Sequence, residues 1–144
     1  MSKARSVTIE DPEKAKLQAL VQEGDRNLDA KQSDAWAADG SFQIGDFPAA
    51  VGRERIFEFL KGFFGQGLFT TLEHELTHVL EGPDEVSFQA NAHYTLQNGE
   101  RLTVPYANFI TYAREAGALK FKTYRVYINA EVVVKKAMEN RGGA

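Results

Sequence analysis

The apolar residues change period once along the chain, and that change constrains the fold more than any other feature. Before Gly65 the strongest pattern is helical. In GRERIFEFLKGFF, residues Ile56, Phe59, Leu60, Phe63 and Phe64 form an i, i+3, i+4, i+7, i+8 stripe. After Gly65 apolar and polar residues alternate instead. Four such runs follow, at about 69–80, 85–97, 101–113 and 118–130, separated by the turn signals EGPDE, QNGE and REAGA. Helices followed by a meander of strands predict an α+β fold, with the helices on one face of an antiparallel sheet.

Two further helices are expected upstream. EDPEKAKLQALVQEGD opens on an acidic residue and Pro12, carries Leu17, Leu20 and Val21 at helical spacing, and closes at Gly24. NLDAKQSDAWAAD predicts a second helix, with Leu28, Ala35 and Trp36 on one side and Asp39-Gly40 as its stop. SFQIGD then reads as a short strand leading into a loop. One domain is expected, with its core at about 12–131 and loose tails.

The alternation also fixes which polar residues face the helices. In the first long run His74 and His78 share a face with Leu72, Leu76 and Leu80. In the second, Val86, Phe88, Ala90, Ala92, Tyr94 and Leu96 turn inward, which leaves Gln89, Asn91 and His93 outside. In the third, TVPYANFITY, Asn108 falls on the inward face beside Leu102, Val104, Tyr106, Ile110 and Tyr112. Burying an amide costs free energy unless it finds partners, so an inward asparagine needs a reason. The last run, LKFKTYRVYIN, is mixed on both faces and its sides stay open.

Inward His74, His78, Tyr106 and Asn108 among aliphatic residues suit an apolar pocket with a few convergent polar groups. A histidine moves protons near neutral pH, and an amide holds a carbonyl or a developing oxyanion. Asp46, in the loop after the short strand, would add a carboxylate at the mouth. Trp36, Phe59, Tyr94 and Tyr124 are further candidates for the wall. The plainer alternatives are a histidine bonded to a backbone carbonyl, an asparagine serving a bulge, and an aspartate favoured by its turn.

Composition closes off other classes. With a net charge of −3 and no basic block among 144 residues, nucleic acid and anionic membrane are poor partners. No run approaches the roughly 20 apolar residues needed to span a bilayer. The charged start, MSKARSVTIEDPEKAK, lacks the apolar run of a signal peptide, so a cytoplasmic location is expected. The chain has no cysteine, which rules out thiolate metal sites and cysteine nucleophiles. His74 and His78 bring no third ligand by spacing, so no metal site is expected. There is no glycine-rich phosphate loop and no nucleophile elbow.

AWAADGSFQIGDFPAAVGRERIFEFLKGFF, then TTLEHELTHVLEGPDEV and finally KTYRVYIN resemble the SnoaL-like group of the nuclear transport factor 2-like superfamily, over about residues 12–131. The resemblance implies a cone-shaped, strongly curved antiparallel sheet wrapped around three helices and enclosing a deep apolar cavity, commonly as a homodimer. It implies enzymes that act by proton transfer without cofactor or metal, alongside non-enzymatic binding modules. Asn108 matches the strand position where ketosteroid isomerases hold an oxyanion-donating aspartic acid, SnoaL-type cyclases a histidine, and scytalone dehydratase an asparagine. YANFITY is closest to the last. His74 in LEHEL resembles the dehydratase's catalytic histidine. Other positions depart from the pattern. The isomerase tyrosine on the first helix falls at Leu20, and its base aspartate falls near residues 44–46, so Asp46 fits only after a small shift. The cyclases' aspartate on the last strand falls at Val126.

The expectation is therefore a cofactor-independent isomerase, cyclase or dehydratase acting on a hydrophobic carbonyl metabolite of polyketide, terpenoid or steroid type. His74, Asn108 and Asp46 would do the chemistry. Trp36, Phe59, His78, Tyr94, Tyr106 and Tyr124 would bind substrate. The outer face carrying Gln89, Asn91 and His93 would lie at or near a homodimer interface. The alternatives are a non-catalytic dimeric binding module and a structural domain with a vestigial pocket.

Overall fold

The computed structural model describes residues 8–23, 34–64 and 69–129, with 131, 132, 135, 136 and 139 beyond them. Among these, helix α1 spans Pro12–Glu23 and helix α2 spans Arg53–Phe64. Strands β1 (Trp36–Ile44), β2 (Ala50–Val51), β3 (Phe69–Gly82), β4 (Glu85–Leu96), β5 (Arg101–Glu115) and β6 (Ala118–Tyr127) form one open, curved sheet in the order β2-β1-β6-β5-β4-β3. The class is α+β. The four alternating runs appear as β3 to β6, paired antiparallel as a meander. The sheet as a whole is mixed, because β1 runs parallel to β6. The expectation of a purely antiparallel sheet is corrected at that one junction.

The predicted second helix is corrected as well. Its residues 27–33 lie outside the described residues, and Trp36 to Asp39 belong to β1. Gly40 is not a helix stop. A Cβ there would lie 3.1 Å from Ala37 O, 3.2 Å from Phe121 O and 3.3 Å from Lys122 O, so the glycine permits a close backbone approach between β1 and β6. The register slips between Trp36 and Ser41 at this same place. An irregular strand of this kind has no clean two-residue period, which is why it passes for a helix.

VGRE has a physical job. Gly52, at φ +98°, donates its amide to Gly40 O at 2.8 Å and turns the chain into α2. Arg53 then donates to Trp36 O at 2.9 Å and to the Glu115 carboxylate at 2.8 Å, and Glu115 accepts the Ala38 amide at 2.7 Å. One arginine thus fastens α2 to β1 and to the far end of β5. At the other side of the sheet, Lys14 of α1 donates to Gly82 O at 2.6 Å and Glu81 accepts the amides of Glu10 and Asp11. Helix α1 is thereby pinned over the concave face.

The core lies between that face and the helices. Every second residue of β4 from Val86 to Leu96 is buried, as are Val104, Tyr106, Asn108, Ile110 and Tyr112 of β5. The face of β6, left open by its sequence, is settled by a bulge. Thr111 pairs with Thr123 but Tyr112 pairs with Phe121, so Lys122 is an extra residue and Phe121, Tyr124 and Val126 all turn inward.

Candidate functional site

A recess of about 520 Å³, its opening to solvent included, lies between α1 and the concave face. Aliphatic and aromatic side chains form most of its wall, among them Phe42, Leu60, Leu72, Tyr94 and Val126. The polar members are Gln18, Gln22, His74, Asn108 and the phenols of Tyr94, Tyr106 and Tyr124, and no Asp, Glu, Lys or Arg is among them. This is an apolar cavity with a few convergent polar groups.

His74 reaches the cavity from β3. Its partner is two strands away: His74 Nδ1 lies 2.7 Å from Tyr106 Oη, with the rings edge to face at 5.8 Å. The pairing rows explain the reach. His74 pairs with Ala92 and Tyr106 with Ala90, so the intervening strand presents only methyl groups and the two longer side chains meet above it. A phenol hydroxyl both donates and accepts, so Tyr106 keeps the imidazole oriented whichever way Nδ1 is protonated.

Asn108 answers the question its position raised. It is 2% exposed, and its Nδ2 donates to Tyr124 Oη at 3.0 Å. A second amide does the same from the opposite wall: Gln18 of α1, 4% exposed, donates through Nε2 to the same Tyr124 oxygen at 2.9 Å. The carbonyl oxygens of both amides have no hydrogen-bond partner among the described residues, and nor does Gln22 Nε2. Three elements therefore meet on one phenol oxygen inside the cavity.

Not every predicted site residue reaches this place. His74, Tyr94, Tyr106, Asn108 and Tyr124 line the recess. His78 does not. Leu76 pairs with Ala90 while His78 pairs with Gln89, so Thr77 is an extra residue and the strand reverses its faces there. His78 is exposed, with Nδ1 3.4 Å from Thr77 Oγ1, and Leu80 is 75% exposed. Asp46 is exposed in the turn after β1 and is not part of the lining. Trp36 and Phe59 stand behind the wall. Trp36 is 1% exposed and packs on Tyr124 at 5.5 Å; Phe59 packs on Phe42 at 5.8 Å.

Sequence reasoning missed Gln18 and Gln22. Lys14, Gln18 and Val21 are spaced i, i+4, i+7, and the first two are buried, so the inner stripe of α1 is partly polar. A reading that follows only Leu17, Leu20 and Val21 looks past it. On the outer face, Gln89, Asn91 and His93 are on the predicted side. His93 sits 2.9 Å from Glu75 and 2.8 Å from Thr103 Oγ1, and hydrogen bonds from His93 and then Asn91 hold the Glu75 carboxyl below the usual glutamate range. Among the described residues no three His, Cys, Asp or Glu side chains are grouped to hold a metal, and no helix is long and apolar enough to cross a membrane.

Known proteins with this architecture share it at low identity. A protein described as a SnoaL-like polyketide cyclase from Jannaschia sp. CCS1 is 16% identical, with 93% of this chain and 96% of that one covered and a TM-score of 0.63. A Catenulispora acidiphila DSM 44928 protein with a ketosteroid isomerase-like fold, solved with trimethylamine, is 14% identical over 91% and 94%, with a TM-score of 0.66. A hexachlorocyclohexane dehydrochlorinase, LinA, is 15% identical over 78% and 80%, with a TM-score of 0.62. These likenesses show a nuclear transport factor 2-like fold. No curated protein sequence matches the chain. The family model for the SnoaL-like domain matches residues 15–119, from α1 through the start of β6, and the chain belongs to that family.

Proposed function

We infer that the protein is an enzyme that moves a proton on a neutral, largely apolar carbonyl compound, and so isomerises, cyclises or dehydrates it. The observation that supports this most is the union, in one largely apolar cavity, of a histidine steered by a phenol and a buried amide steered by another. His74 acts as acid and base, taking a proton from carbon next to the carbonyl. The electron pair moves onto the carbonyl oxygen, where it meets the Asn108 amide; that nitrogen carries two protons, and the bond to Tyr124 uses one. His74 then returns its proton to another carbon, which completes an isomerisation, or to a departing hydroxyl, which leaves as water. The steps need proton transfers alone. The family includes isomerases, cyclases and dehydrochlorinases, which fits this class of chemistry.

The protein is further proposed to act as a homodimer through the outer sheet face. Leu80, Ser87, Phe109 and Arg125 are successive cross-strand partners there; Leu80 and Phe109 are exposed apolar groups along that row, and exposed Tyr127 of the next row packs on Phe109 at 5.5 Å. This lies further along the sheet than Gln89, Asn91 and His93.

Mass spectrometry of small molecules retained by the purified protein would identify a substrate candidate. On that compound His74→Ala should lower turnover by about 10²- to 10⁴-fold. Unchanged turnover in His74→Gln, with only a lower melting temperature, would leave the histidine a structural residue. Ligand binding without any turnover would favour the binding-module alternative.

A further inference from the structure

Gln18 and Asn108 are deeply buried polar groups of the cavity, at 4% and 2% exposure, and both spend their nitrogen on one oxygen. Gln18 Oε1 and Asn108 Oδ1 remain without partners among the described residues. Turning the amides over does not remove this. A phenol has a single proton, so at most one of the two amides can direct its oxygen at Tyr124 and be served. At least one nitrogen stays on Tyr124, and at least one buried carbonyl oxygen stays unpaired in a wall that faces the ligand space. An acceptor placed so is satisfied by an O–H donor. The lining holds no Lys or Arg to pair with an anion, so a carboxylate or phosphate would lose its water there with little compensation.

We propose that the cavity selects an uncharged ligand carrying a hydroxyl, which donates its one proton to the amide oxygen of Gln18, and that Gln18 is a specificity-determining residue. This rests on the cavity being the ligand site, and it adds a requirement that a bare ketone does not meet. A water molecule in place of the hydroxyl is the competing occupant.

Three two-ring probes separate the possibilities at pH 7: 2-naphthol, its methyl ether 2-methoxynaphthalene, and 2-naphthoate. Calorimetric titration of the full chain should show the naphthol binding about tenfold tighter than the ether, the scale of one buried hydrogen bond. The naphthoate should bind at least about tenfold more weakly than the naphthol. Gln18→Met keeps side-chain length and removes both amide atoms. It should bring the naphthol-to-ether ratio close to one while the ether's own affinity holds, which also certifies a folded cavity. Equal binding of naphthol and ether to the parent, or a ratio untouched by Gln18→Met, would overturn the proposal. Binding of none of the three would overturn both it and the cavity as ligand site. A parent that prefers the naphthol yet turns over no carbonyl compound would overturn the catalytic reading alone.

Discussion

Tyr124→Phe tests the polar bracket directly, because it deletes one oxygen and leaves the packing. Gln18 Nε2 and Asn108 Nδ2 lose their common acceptor, at 2.9 and 3.0 Å, and their carbonyl oxygens have no described partner to begin with. Two lost hydrogen bonds at about 0.5–1.5 kcal/mol each give a destabilisation of about 1–3 kcal/mol. The recess opens to solvent, so water can replace part of that loss and the lower half of the range is the better estimate. For a domain of this size the melting temperature should fall by about 3–6 °C.

Tyr112 supplies the control. It is 5% exposed against 4% for Tyr124, and both rings pack on Phe121, at 5.6 and 5.2 Å. Its hydroxyl, however, has no partner among the described residues. Tyr112→Phe therefore removes a desolvated, unpaired group and should leave stability unchanged or raise it. Burial, and then the charges of Tyr124, Glu81 and Asp11, push the Tyr112 hydroxyl above its ordinary value of 10.0. A raised value in the folded state means its contribution is intact below the ordinary value and is lost as pH climbs towards the raised one. Tyr112→Phe should accordingly flatten the alkaline arm of the stability curve. Urea and thermal unfolding of the parent, the two variants and their double mutant give the comparison. Equal effects of the two substitutions, or a neutral Tyr124→Phe, would refute the assignment of the two amide bonds.

Three other expectations are open to simple measurements. Gly40→Ala forces a methyl group against backbone oxygens at 3.1–3.3 Å and should cost about 1–3 kcal/mol, offset by about 0.4–1 kcal/mol from a stiffer unfolded chain. An unchanged urea midpoint would mean the β1–β6 contact gives way freely. Glu75→Gln removes a carboxylate whose folded-state value is lowered, so the stability it adds is present above the ordinary 4.5 and fades as pH drops through the lowered value. The gap between parent and variant should close towards acid pH, and a constant gap would contradict this. Phe109→Asp should convert a dimer into a monomer in sedimentation at micromolar concentration, and a monomeric parent would end the dimer proposal.

The long strands and most inward faces were legible because a two-residue period is a strong signal wherever the strand is regular. It placed His74, Tyr106 and Asn108 on the concave face and Gln89, Asn91 and His93 on the convex one. What escaped was each place where one residue is inserted against its partner strand. Thr77 sends His78 outward, Lys122 hides the face of β6, and the slip after Trp36 disguises a strand as a helix. A bulge changes the phase of everything beyond it and leaves no compositional mark of its own. Asp46 lies outside the cavity for a different reason: a turn favours aspartate through its own backbone, whatever lies nearby. Gln18 was readable in principle, as a polar residue on the buried stripe of a helix.

The bulge at Lys122 is also what makes the site possible. Strict alternation from Phe121 would turn Thr123 inward and Tyr124 out to the convex face. The extra residue advances the phase by one, so Tyr124 enters the cavity beside Asn108 and beneath Gln18. The displaced Thr123 instead meets Thr111 on the outer side, hydroxyl to hydroxyl at 2.5 Å. Two alanines on β4 do comparable work for His74 and Tyr106, by keeping the strand between them low. Both polar pairs thus depend on small departures from an ideal sheet, one an inserted residue and the other missing side-chain bulk. That is how an amphipathic sheet, which on pattern alone would build a dry core, comes to hold oriented amides, phenols and an imidazole at its centre.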